Sequence, residues 1–218
     1  MTLTDDLTLV LLDPGTGRAV VDGTSLDRAI GGALLLDLAT RERITADGDG
    51  AKARLSVVDE TPTGDAVLDM ALARFDKPLR AQKAVERLAR GTRTPVLERL
   101  AEQGLVRRER SRLLGILPLT TWSPGDAAKE LRGRVAAVLR DGAQADQHVA
   151  MLISLVHAVK AEHKVVDGPR RQLRARAAEV AEGEWAGRAV HKAVEAVQAS
   201  VAAAVAVSAA ADGSSGGS

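Results

Sequence analysis

The chain has 218 residues, enough to bury a core as one domain of ordinary size or as two small ones. Apolar residues make up 45%, but the only aromatics are Phe75, Trp122 and Trp185, so the core is expected to be aliphatic and, being rich in Ala and Leu, to lean helical. There is no cysteine, which excludes disulfides, thiolate metal sites and cysteine catalysis, and a net charge of +1 argues against a protein that coats polyanions over its whole surface.

At the N-terminus, "MTLTDDLTLVLL" lacks a basic leader and carries Asp5 and Asp6, so it does not read as a secretory signal and the expected compartment is the cytoplasm. "LTDDLTLVLLD" is an apolar run, helix or strand, that ends at the turn "DPGTG". Thr24, with Asp27 three residues on, reads as the N-cap of a helix through "LDRAIGGALLLDLATRERI", apolar over most of its surface and so expected to be central and buried. "RITADGDGAKARLSVVDE" reads as a β-hairpin. Its "DGDG" is taken as a turn, because the ligand spacing of a twelve-residue calcium loop is missing.

Asp65 is placed to cap a helix through "AVLDMALARF". Helices are expected over about 81–90 and about 94–103, with Pro95 in the first turn of the second and Gly104 as its stop. "LVRRERSRLLGILPLTTW" reads as two strands around a turn. Three helices are expected to follow, in "DAAKELRGRVAAVL", in "ADQHVAMLISLVHAVKAEHKVV" and from "GPRRQ" onward, the last broken near Gly183 or Gly187. Ala193–Ala211 is interrupted by Glu195 and Gln198 and reads as a packing helix rather than a membrane span. The reading is a mainly α, compact single-domain fold over 1–211, with one or two short β-hairpins and a flexible tail at 212–218.

Catalytic and metal-binding patterns are not found. His148, His157, His163 and His191 form no H-E-x-x-H pair, no serine sits in G-x-S-x-G, and neither G-x-x-x-x-G-K-[ST] nor G-x-G-x-x-G occurs. No enzyme, metal or cofactor is expected. Charge is the informative feature. Residues 1–79 hold fourteen acidic and eight basic side chains, whereas 80–112 hold four acidic and ten basic ones. Within that basic segment, "ARGTRTPVLERLAEQGLV" sets Arg90 and Arg93 at a helix start, where paired guanidiniums suit a phosphate. A solvated face with internal pairs such as Arg99 to Glu102 is the competing reading. A helix followed by strand, turn and strand also has the outline of a winged helix, so duplex DNA is the alternative partner.

The motifs "LTDDLTLVLLD", "GGALLLDLATRERI", "PTGDAVLDMAL", "LERLAEQGLV" and "MLISLVHAV" occur in one order over roughly residues 2–205. In this the chain resembles the Golgi phosphoprotein 3 family, in the manner of its bacterial members. The resemblance implies a non-enzymatic, mostly helical domain that binds phosphatidylinositol 4-phosphate or a similar anionic headgroup and acts as an adaptor for membrane proteins. It puts the family's Arg-x-x-Arg pair on Arg90 and Arg93, and sets Asp22 and Gly31 where the family has a Trp and a further Arg. It also implies a membrane-contacting or oligomer-forming hairpin over Glu109–Thr120, with Leu113, Leu114, Ile116 and Leu117 as its apolar part. General attraction would come from Arg80, Lys83, Arg87, Arg107, Arg108, Arg110 and Arg112. The expectation is a cytoplasmic, peripherally membrane-associated protein whose partners are an anionic phospholipid surface, membrane-protein clients and further copies of itself, with nucleic acid not expected.

Overall fold

The computed structural model describes residues 1–113, 117–183 and 188–213, with side chains described throughout these except at 110–119, 188–191 and 208–213. It is mainly helical, with two small antiparallel sheets. The first apolar run is a helix, α1 (Leu3–Leu11). Thr2 and Asp5 form a capping box at its start, and all nine of its residues are buried. A helix with no solvent face belongs at the centre of a domain rather than on its surface.

The second helix, α2 (Gly23–Thr40), is the other central element. Its N-cap is Asp22 and not Thr24. The Asp22 carboxylate accepts from the Ser25 N–H at 2.8 Å and from the Ser25 hydroxyl at 2.5 Å, so the helix starts a residue before the expected cap. Leu34, Leu35, Leu36 and Leu38 are fully buried, each contributing about 1.5–3 kcal/mol of burial. Gly31 and Gly32 let two neighbours approach α2 closely. A Cβ on Gly31 would lie 2.8 Å from the Val85 carbonyl, and one on Gly32 would lie 2.9 Å from the Val201 side chain.

The expected first hairpin forms as β1 (Ile44–Asp47) and β2 (Arg54–Val57), in the register Ile44 opposite Val57. A two-residue strand that the sequence did not announce, β3 (Leu79–Arg80), pairs with β2 so that Arg54 faces Arg80 and Leu55 faces Leu79. Between β2 and β3 lies α3 (Ala66–Leu72), capped as expected by Asp65, which accepts from the Val67 and Leu68 N–H groups. After β3 come α4 (Ala81–Ala89) and α5 (Arg93–Glu102), and Gly104 takes φ 72° just past the end of α5.

The second hairpin is β4 (Val106–Leu113) and β5 (Leu117–Pro124), with Val106 opposite Pro124. Then follow α6 (Asp126–Leu139), α7 (Gln147–Ala158), α8 (Glu162–Val165), α9 (Arg170–Glu182) and α10 (Arg188–Gly213). The single helix expected over "ADQHVAMLISLVHAVKAEHKVV" is two, because Lys160 takes φ 56° and turns the chain between α7 and α8. The break expected near Gly183 is present, with Gly183 ending α9. The tail assigned to 212–218 falls mostly on residues outside those described. Among the described residues, no helix is long and apolar enough to cross a membrane. Instead, α10 packs against α2, α4 and α7, burying Val194, Val197 and Val201.

Candidate functional site

Two polar regions stand out, and the arginines of residues 89–106 divide between them. The first is a buried seam. Arg99 on α5 is only 13% exposed. Its Nη1 donates to both Asp65 carboxylate oxygens at 2.6 and 2.7 Å, and its Nη2 donates to Asp5 Oδ1 at 2.6 Å. The expected pairing of Arg99 with Glu102 is therefore replaced by a clamp on two distant carboxylates. Beside it, Asp37 on α2 accepts from the N–H groups of Leu3 and Thr4, each at 2.9 Å, and from the Thr4 hydroxyl at 2.6 Å. This carboxylate satisfies the orphan donors at the start of α1 from another helix. Asp6 reaches His148 Nε2 at 2.6 Å. The hydrogen bond to Asp6 is the main reason the His148 pKa lies above the usual histidine value, against burial, which lowers it.

The second region is a cleft of about 400 Å³ at the start of α2, lined by Thr24, Asp27, Arg28, Glu86, Ala89, Arg90 and Gly91. Local structure holds its rim. The end of α4 is closed by Thr92, whose hydroxyl donates to the Leu88 carbonyl at 2.5 Å, and by Arg74, whose Nη1 donates to the Arg87 and Arg90 carbonyls at 3.2 and 2.6 Å. A cation on helix C-terminal carbonyls is a favourable cap. Gly91 takes φ 73° and turns the chain into α5. This leaves Arg90 exposed, with no ion pair to its own side chain among the described residues.

Arg93 is placed differently. Its Nε donates to Asp27 Oδ1 at 2.6 Å and its Nη2 donates to the Gly23 carbonyl. Gly23 is suited to this, since a Cβ there would sit 3.1 Å from Arg93 Nη2. Arg28 Nη1 donates to the Ala204 carbonyl at 2.6 Å, tying the rim to α10. The structure thus places Arg90 on the cleft together with Arg28, which the sequence did not single out, whereas Arg93 is not part of the lining and meets the cleft only through Asp27, which it holds. It also brings in two carboxylates, Asp27 and Glu86.

Asp22 and Gly31, the two positions that the resemblance sets against a Trp and an Arg, have structural occupations of their own. Burial acts to raise the Asp22 pKa, but the hydrogen bonds from the Ser25 hydroxyl and N–H outweigh it and hold the carboxyl below its usual range. That charge sits where the start of α2 would otherwise favour an anion. At Gly31 the α2–α4 contact leaves no room for a side chain.

Of the hairpin residues singled out, Leu114 and Ile116 lie outside the described residues, as do the side chains of Leu113 and Leu117. The base of the hairpin is defined. Arg108 stacks over the Trp122 ring at 5.3 Å, and the Trp122 backbone N–H donates to the Gly17 carbonyl at 2.9 Å. Elsewhere, His157 Nδ1 lies 2.5 Å from the buried Glu162. Burial acts to raise the Glu162 pKa, but the His157 hydrogen bond outweighs it and the pKa is lowered. Among the described residues, no group of three or more His, Asp or Glu side chains is placed to hold a metal ion.

A family profile described as Golgi phosphoprotein 3 (GPP34) matches residues 3–197. That is most of the chain, which therefore belongs to the Golgi phosphoprotein 3 family. No curated protein matches it.

Proposed function

We propose that this protein is a non-catalytic, cytoplasmic, peripheral membrane protein that binds anionic phospholipid headgroups of the phosphatidylinositol 4-phosphate kind at the cleft rimmed by Arg90, with Arg93 behind Asp27 at its edge, and that it serves as an adaptor for membrane proteins. The observation that carries the reading is Arg90, an exposed guanidinium with no carboxylate partner among the described residues, at the rim of a cleft of about 400 Å³ that also meets Arg28. Family membership supports the same class of ligand.

Arg93 is compatible with a phosphate while held by Asp27. A guanidinium has five N–H donors, and its Nε and Nη2 interactions leave others to offer. Asp27 then acts as the positioning carboxylate, fixing the guanidinium plane before the ligand arrives. With Gly31 closed by helix packing and Asp22 capping α2, the cleft offers no further cation and no aromatic wall from those two positions. The expected binding is accordingly electrostatic, governed by headgroup charge, and falls with salt. Co-sedimentation of the wild type and of an Arg90→Ala, Arg93→Ala variant with neutral and anionic vesicles tests this. Equal binding by both proteins would remove the cleft from the account.

A further inference from the structure

A second cation cluster lies at the opposite end of α4 from the Arg90 cleft. Arg54 on β2, Lys77 and Arg80 around β3, and Lys83 in the first turn of α4 line a cleft of about 270 Å³ with Pro78 and Leu79. All four cations are exposed, and among the described residues no carboxylate lines the cleft. Two acids stand near it, and neither forms an ion pair with its four cations among the described residues. Asp76, next to Lys77 in the chain, is held by Arg87 at 2.7 Å. Asp47 stands opposite Arg54 on β1, yet the two form no ion pair.

The register makes the arrangement costly. Arg54 and Arg80 are directly opposed across the antiparallel β2–β3 ladder, and like charges in that position destabilise a sheet. Lys83 lies three residues beyond Arg80, on the same side of the chain as it enters α4. A fold gains nothing from converging four like charges on one small concavity. An anion placed among them relieves the repulsion, and a cleft lined by one sign of charge concentrates its field on such an ion.

We propose that Arg54, Lys77, Arg80 and Lys83 form a second anion-binding site that takes a phosphate group. The cleft suits one phosphomonoester, contacted by two guanidiniums and two ammonium groups. It stands on its own geometry and does not depend on the Arg90 cleft. Ten residues along the chain separate Arg80 from Arg90, roughly 15 Å if measured as helix rise. The same chemistry would accept a phosphate on a lipid surface or a soluble phosphate.

The test uses the isotope-labelled full chain, titrated with inorganic phosphate at constant ionic strength and followed by amide chemical shifts. Parallel co-sedimentation uses phosphatidylcholine vesicles containing phosphatidic acid. Three variants are compared with the wild type: Arg54→Ala with Arg80→Ala, Lys77→Ala with Lys83→Ala, and Arg90→Ala with Arg93→Ala. The expected result is that phosphate or vesicles perturb the 54, 77, 80 and 83 region. Binding at that region should weaken roughly thirtyfold in the first two variants, at about one basic residue's attraction per charge removed, and survive in the third. A response to vesicles but not to inorganic phosphate assigns the site to a membrane surface, and a response to both assigns it to phosphate in general. Undiminished perturbation in the first two variants would overturn the site, as would no perturbation of the region by either probe.

Discussion

Arg99 and Arg90 lie nine residues apart and have opposite fates. Arg99 is largely buried, and its guanidinium is shared between Asp5 and Asp65. Arg90 stands at a cleft rim with no partner for its side chain among the described residues. The buried seam joins α1, α2, the cap of α3, α5 and α7 into one frame, whereas the cleft is a surface feature hung on the end of α4. The difference teaches that guanidiniums close in sequence cannot be assigned one role. What decides is the carboxylate the fold carries to each, and how much water remains around the pair.

The sharpest way to break the comparison is Arg99→Ala. It leaves Asp5 and Asp65 without their shared counter-ion in a largely buried site, and the expected loss is about 3–5 kcal/mol of stability, read by urea unfolding. An Arg90→Ala change should sit within about 0.5 kcal/mol of the wild type in the same experiment. If the two were equally destabilising, the division into frame and surface would be wrong.

Gly31→Ala comes next. The added methyl would press on the Val85 carbonyl and the Ala89 amide nitrogen, and the α2–α4 contact must open to admit it. A loss of about 1–3 kcal/mol is expected on thermal unfolding. Little or no loss would mean that α4 can move away from α2, and that a long side chain at this position could have contributed to the cleft.

A smaller effect concerns pH. The His148 pKa is raised in the folded protein by its hydrogen bond to Asp6. Its contribution to stability is therefore fully present below the unfolded value, about 6.5, and is lost as the pH rises through the higher folded value. Stability should decline over that window in the wild type and decline less in His148→Gln. A stability curve unchanged by that substitution would mean that Asp6 and His148 are not coupled.

The fold was legible in the sequence wherever periodicity and capping agreed. The helices at 81–89 and 93–102, the Asp65 cap and the Gly104 stop all follow from local rules. Local ambiguity explains the misses. Asp22 and Thr24 are both good caps, and only the Ser25 hydrogen bonds choose between them. β3 is two residues long, too short to carry an alternation signal.

The site was legible only in part. The basic segment and the Arg90–Arg93 pair were visible as composition, but Asp27 and Arg28 meet them through tertiary packing that no local pattern encodes. Four of the five motifs that carried the resemblance supply the buried seam: Asp5 and Asp6, Asp37, Asp65, and Arg99. Those motifs therefore mark the frame of the fold and not the Arg90 cleft.

The most direct measurement is co-sedimentation of the wild type and the Arg90→Ala, Arg93→Ala variant with vesicles containing phosphatidylinositol 4-phosphate, against neutral vesicles and with duplex DNA as competitor. At about 1 kcal/mol per basic residue at an anionic surface, the variant should bind roughly thirtyfold more weakly while keeping the wild-type melting temperature within a few degrees. Undiminished wild-type affinity in the variant would contradict the account. So would wild-type protein that ignores anionic vesicles, or that leaves them for DNA.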